Sequence, residues 1–90
     1  MTNTTAIITG ASHGIGQYIA RALAKRRMDL LLVARSENEL AIFAKELSEN
    51  GSKIAIAAID LAGRDAADQI ICAAQAEFPK VDVLVNNAAT

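Results

Sequence analysis

Thr9-Gly10-Ala11-Ser12-His13-Gly14-Ile15-Gly16 closes a short apolar run and opens a segment with helical spacing. Each glycine in it has a physical task in a strand–loop–helix unit. Gly10 permits the tight turn out of the strand. Gly14 lets backbone approach a phosphate where a Cβ would intrude, and Gly16 lets the helix pack closely on a sheet. A helix beginning here aims free N–H groups and roughly half a positive charge into the loop. Gly10, Ser12, Gly14, Ile15 and Gly16 are therefore candidates for holding a pyrophosphate, and His13 in the same loop is a further candidate for cofactor binding. The bland alternative is an ordinary turn. A Walker-type loop is excluded, because it needs Lys and then Ser or Thr after its last glycine, where Gln17 and Tyr18 stand.

Outward from this loop, two hydrophobic rhythms alternate. Apolar runs at Thr5–Thr9, Asp29–Ala34, Lys53–Ile59 and Val81–Val85 are nearly continuous, as in strands covered on both faces. Between them lie three segments of helical period. Their predicted buried stripes are Ile15, Ile19, Ala22 and Leu23; Leu40, Phe43, Ala44 and Leu47; and Ala67, Ile70, Ile71, Ala74 and Phe78. Ser36 and Glu39 have the spacing of a capping box, and Pro79 closes the third helix. The order β-α-β-α-β-α-β predicts an α/β fold. It is a doubly wound parallel sheet of four strands in order 3-2-1-4, a partial Rossmann fold. The first two helices should cover one face and the third the other, with the fourth strand left as an open edge.

Composition narrows the function. The chain has 90 residues, 52% of them hydrophobic and 21% charged, with a net charge of −1. That is a globular balance, with no basic excess for nucleic acid. No apolar run approaches the roughly 20 residues of a membrane span. A cytoplasmic protein without nucleic-acid or membrane partners is expected. Cys72, the sole cysteine, reads as core packing in an apolar stretch, and Lys80 and Asp82 read as ordinary surface charges.

The residue ending the second strand faces the adenosine ribose in folds of this type, and an acid there selects NAD. Here the position is Ala34, followed by Arg35. No carboxylate repels a 2′-phosphate, and a guanidinium can pair with it bidentately, an arrangement that favours NADP(H) over NAD(H); the alternative is that Arg35 is a solvated loop charge.

The spacing Gly-x-x-x-Gly-x-Gly after Thr9, with Val85-Asn86-Asn87-Ala88-Ala89 at the end of the last strand, resembles the short-chain dehydrogenase/reductase family. The resemblance covers essentially the whole chain. One departure is Ala89, where the family usually has glycine. The resemblance implies that Asp60, with Leu61 beside it, lies against the adenine; capping of the third helix is the structural alternative for Asp60. It also implies that Asn86 lines the adenosine ribose, that Asn87 steadies the sheet, and that His13 stands where NADP-preferring relatives carry Arg or Lys.

The family's acid–base residues are a Ser and a Tyr-x-x-x-Lys pair. Neither is found here: Tyr18, the only tyrosine, is followed four positions later by Ala22. No catalytic residue is assigned, and no metal site. Residues 1–90 are thus expected to form a truncated NAD(P)-binding half-domain. Its parent would be an oxidoreductase, homo-oligomeric as the family commonly is, that interconverts a small-molecule carbonyl and an alcohol. The alternative is a non-catalytic nucleotide-binding remnant or a partner-docking module.

Overall fold

Parallel strands need crossovers, and the three periodic segments supply them. The computed structural model describes residues 4–11, 14–49 and 51–86. In chain order the elements are β1 (Thr5–Thr9), α1 (Gly14–Lys25), β2 (Asp29–Ala34), α2 (Glu37–Ser48), β3 (Ile54–Ala58), α3 (Ala66–Glu77) and β4 (Val83–Asn86). All pairings are parallel and the sheet order is β3-β2-β1-β4, as expected. The third and fourth strands are shorter at their starts than the apolar runs suggested.

Alternation along β2 divides the core in two. Leu30, Leu32 and Ala34 join Ala6 and Ile8 beneath α1 and α2, together with Ala20, Ala24, Leu40, Phe43 and Leu47. Leu31 and Val33 join Ile7 on the opposite face beneath α3, with Ala66, Ala74 and Phe78. α2 buries the stripe expected of it. The other two helices follow expectation in part: Ile19 and Leu23 of α1 and Ile70, Ala74 and Phe78 at α3 pack against the core, while the centre of each buried face is shifted. α1 turns Gly16, Ala20 and Ala24 to the sheet, leaving Ala22 exposed and Ile15 69% exposed. A helix that leaves a tight loop directly above a strand lies close to the sheet, so small residues fill the contact. α3 buries Ala66 and Ala74 with Ile70 and Ala73 partly covered, whereas Ala67 and Ile71 are exposed. Cys72 lies on α3's outer side and is exposed, so the core assignment is corrected. The reason is geometric: at 3.6 residues per turn, position 72 points about 160° away from position 74. α3 packs chiefly on β3, its core reaching across Leu31 and Val33 of β2 to Ile7 of β1. Leu84, paired with Ile7 and hence on that same face, stays 63% exposed.

Local chemistry sets the ends of the elements. Ser36 is the N-cap of α2, and its Oγ accepts from the Glu39 N–H at 3.3 Å. α1 stops in a Schellman turn: the Arg27 N–H donates to the Ala24 carbonyl and the Met28 N–H to that of Leu23. The left-handed position of that turn holds Arg27 at φ 61° rather than glycine, a strain of about 1 kcal/mol. Arg21 pairs with Glu46 and lies 5.0 Å from the Phe43 ring centroid, clasping α1 to α2 at the surface.

Two aspartates close the starting edge of the sheet. Asp29 Oδ1 accepts from the Lys53 N–H at 2.9 Å, and Asp82 Oδ2 accepts from the Thr5 N–H at 2.9 Å. Asp82 is therefore a strand clamp and not the ordinary surface charge expected. Its own N–H donates back to the Thr5 carbonyl, and Lys80 Nζ is 3.3 Å from Oδ1. The Thr5 N–H foremost holds the Asp82 carboxyl below its ordinary value of 3.8, against the opposing effect of burial and with a lesser contribution from Lys80. A lowered folded-state pKa means stability that is present above the ordinary value and lost as pH falls through the folded one. Wild type should therefore lose more stability than Asp82→Asn as pH drops from about 5 to 3. Urea titrations at each pH check this, and parallel pH profiles for the two proteins would remove Asp82 from the acid response.

Candidate functional site

Because every strand points the same way, their C-terminal ends share one edge. The register puts Ala57, Val33, Thr9 and Asn86 in a single row across the sheet. With neighbouring strands about 4.8 Å apart, the row spans roughly 14 Å. The candidate residues leave the sheet from the ends of this row: Gly10, Arg35, Asp60 with Leu61, and Asn86. Open α/β sheets bind ligands outside this edge, at the point where the strand order reverses. Here that point lies between β1 and β4.

The glycine loop is held from both sides. The Ala11 N–H donates to the Val33 carbonyl at 3.2 Å, tying the loop to β2. The Thr9 hydroxyl lies 3.2 Å from Asn86 Oδ1 and 3.4 Å from the Val85 carbonyl, tying its neck to β4. Gly10 has φ 66° and Gly14 φ 48°, both left-handed. A Cβ built on Gly14 meets nothing within 4 Å. The protein leaves room there that a side chain would occupy, directly at the N-terminus of α1. A pyrophosphate fits this arrangement: open space, backbone N–H groups and a positive helix end. Gly16 is buried against the sheet, as its packing task requires. Ser12 and His13 lie outside the described residues, as does Asn87.

The rest of the set is placed as follows. Ile15 is exposed on the first turn of α1 and Arg35 is exposed just past β2, while Ala34 is 6% exposed and part of the core. Asp60 is exposed, and its Oδ1 accepts from the Ala62 N–H at 3.0 Å. The N-cap of α3 is Asp65, so Asp60 shapes the loop and does not cap the helix. Leu61 packs partly against the α3-side core. The Asn86 carboxamide oxygen is directed at Thr9. Thr9 itself was not among the expected site residues. Its signal was its place immediately before Gly10, where a hydroxyl can reach the neighbouring strand. Among the described residues no group of three or more His, Cys, Asp and Glu could hold a metal, and no helix is long and apolar enough to cross a membrane.

Comparison with known proteins agrees with this geometry. The family model for short chain dehydrogenase matches residues 4–90. The chain is 40% identical to 3-oxoacyl-[acyl-carrier-protein] reductase FabG of Escherichia coli, over 92% of this chain and 33% of that protein. It is 36% identical to ketoacyl reductase HetN of a Nostoc species, over 98% and 31% respectively. Among solved structures, L-sorbose reductase from Gluconobacter frateurii, complexed with NADPH and L-sorbose, superposes with a TM-score of 0.93 at 36% identity. The match covers all of this chain and 35% of that one. The chain thus spans about a third of the length of these relatives.

Proposed function

Because the chain belongs to the short-chain dehydrogenase family, we propose that residues 1–90 form the dinucleotide-binding half-domain of an oxidoreductase that interconverts an alcohol and a carbonyl, with NADP(H) preferred over NAD(H). The observation that carries this reading is the left-handed Gly14 with empty space where its Cβ would be, at the head of α1 and on the ligand-binding edge of the sheet. The NADPH held by the superposed L-sorbose reductase supports the same cofactor class.

When bound, the nicotinamide supplies or accepts the hydride. The residues of this chain bind and orient. Gly10, Gly14 and the first N–H groups of α1 receive the pyrophosphate. Arg35 receives the 2′-phosphate beside an Ala34 that offers no repelling carboxylate. Asp60 and Leu61 border the adenine, and Asn86 borders the ribose. Ser12, His13 and Ile15 complete the set. Within the 90 residues no Ser and Tyr-x-x-x-Lys set is present to move a proton to the substrate oxygen. The chain by itself is therefore expected to bind the cofactor without oxidising NADPH in the presence of any carbonyl.

Fluorescence titration of the purified chain with NADPH and with NADH tests the reading. Tighter binding of NADPH, by about tenfold, is expected for one charge-assisted phosphate contact. Equal affinities would withdraw the NADP preference, and no binding of either would withdraw the dinucleotide site.

A further inference from the structure

We propose that Arg64 is a second cationic contact for the cofactor's 2′-phosphate, acting beside Arg35. The proposal rests on the cofactor reading above. A phosphate monoester carries about −1.5 to −2 charges at pH 7, more than one guanidinium neutralises. The distribution of positive charge in the fold says where the balance can come from.

All nine Lys and Arg residues fall within the described part of the chain. Lys25, Arg26 and Arg27 end α1 at the starting edge of the sheet, Lys53 precedes β3 there, and Lys80 precedes β4. Arg21 and Lys45 lie along α1 and α2. Only Arg35 and Arg64 stand at the opposite edge, where the strands end. Both are exposed, and among the described residues neither makes an ion pair or hydrogen bond.

The segments that carry the two arginines leave the sheet from neighbouring strands. β2 and β3 are paired up to Ala34 and Ala58, and the Ile59 N–H extends the ladder to the Ala34 carbonyl at 2.9 Å. Arg35 therefore leaves the sheet next to the β3–α3 loop. That loop folds back on itself. The Ala62 N–H reaches Asp60 Oδ1, the Gly63 N–H reaches the Asp60 carbonyl at 3.0 Å, and the Ala66 N–H reaches the Gly63 carbonyl at 3.3 Å. Arg64 is held between these turns and not at the end of a free loop. Asp60, Asp65 and the first-turn acids Glu37 and Glu39 of α2 and Asp68 of α3 share the edge. With Arg35 alone, a phosphate dianion would meet this acidic edge against a single cation. Arg64 offsets that repulsion.

Calorimetric titration of the purified chain with 2′,5′-ADP and with 5′-AMP isolates the 2′-phosphate, because the two ligands differ in that group alone. Arg64→Ala should weaken 2′,5′-ADP about fivefold to tenfold and leave 5′-AMP unchanged, with partial recovery in Arg64→Lys. The loss should shrink as salt is raised, as it does between exposed charges. Far-UV circular dichroism confirms that each variant keeps the wild-type fold. Unchanged 2′,5′-ADP affinity in Arg64→Ala, alongside a loss in Arg35→Ala, would overturn the role of Arg64 and leave the cofactor reading standing. Equal loss for both ligands would also overturn it, by showing that Arg64 only shapes the loop. A wild-type chain that does not distinguish the two ligands would overturn the NADP reading itself, and Arg64 with it.

Discussion

Gly14→Val is expected to weaken NADPH binding by more than about a hundredfold, or about 2.7 kcal/mol, while the chain stays folded. Among the described residues nothing stands against a side chain there, since a Cβ has no neighbour within 4 Å. What opposes it is backbone conformation and the bound phosphate. At φ 48° an L-residue costs about 1–2 kcal/mol, and a β-branched one is the least tolerated. The larger effect falls on the ligand, because the new isopropyl group occupies the space that the pyrophosphate needs. Fluorescence titration with NADPH reads the binding loss, and a thermal melt reads the folding cost. Gly14→Ala should lie between wild type and valine in both. Binding within a few-fold of wild type in Gly14→Val would mean that no phosphate approaches this backbone.

Leu32→Ala should have the largest effect on folding. Leu32 is fully buried in β2, beneath α1 and α2. Truncating such a leucine removes about 2–5 kcal/mol. A chain of this size has only about 5–13 kcal/mol at ordinary stability per residue, and here one face of the sheet is partly uncovered. Leu32→Ala is therefore expected to lower the urea midpoint, followed by circular dichroism, by about a third to a half. Leu84→Ser removes a side chain of the same size that is 63% exposed, and it should move the midpoint little. Similar shifts in the two variants would contradict the division between buried centre and open edge.

Strand order, helix placement and the α2 stripe were legible in the sequence because each rests on a signal that local chemistry enforces: β-branched runs, a 3.6-residue period, a Ser36 cap. The stripes of α1 and α3 were legible in part: Ile19, Leu23, Ile70, Ala74 and Phe78 pack on the core as expected, and the rest was misread because size was taken for burial. Gly16, Ala20 and Ala24 carry little hydrophobicity, yet they face the sheet because only small residues fit under a helix that starts so close to it. Ile15 and Ile71, larger and more apolar, are left outside. Cys72 was misjudged for the same reason, since an apolar stretch of sequence is not an apolar face. Asp82 was missed because its partner, Thr5, is 77 positions away, and no local pattern announces a clamp between distant strands. At the candidate site, the glycines were readable from spacing. The hold that Thr9 and Ala11 exert on the loop depends on β4 and β2 being its neighbours, which only the register reveals.

The placement of β1 between β2 and β4 has a consequence for how the chain is made. β2 follows β1 closely, so one side of β1 can pair early in synthesis. Its other side must wait for β4, and 49 positions separate Ala34 from Val83. At about 5–20 residues per second that interval lasts several seconds. Throughout it, one of the two interior strands of the four is an unguarded edge on the ribosome, and contacts of such long separation are also the slow ones in refolding. The nascent chain is therefore most exposed to wrong pairing at a strand that ends buried along its whole length, and a chaperone that covers extended apolar backbone would find its target at Thr5–Thr9.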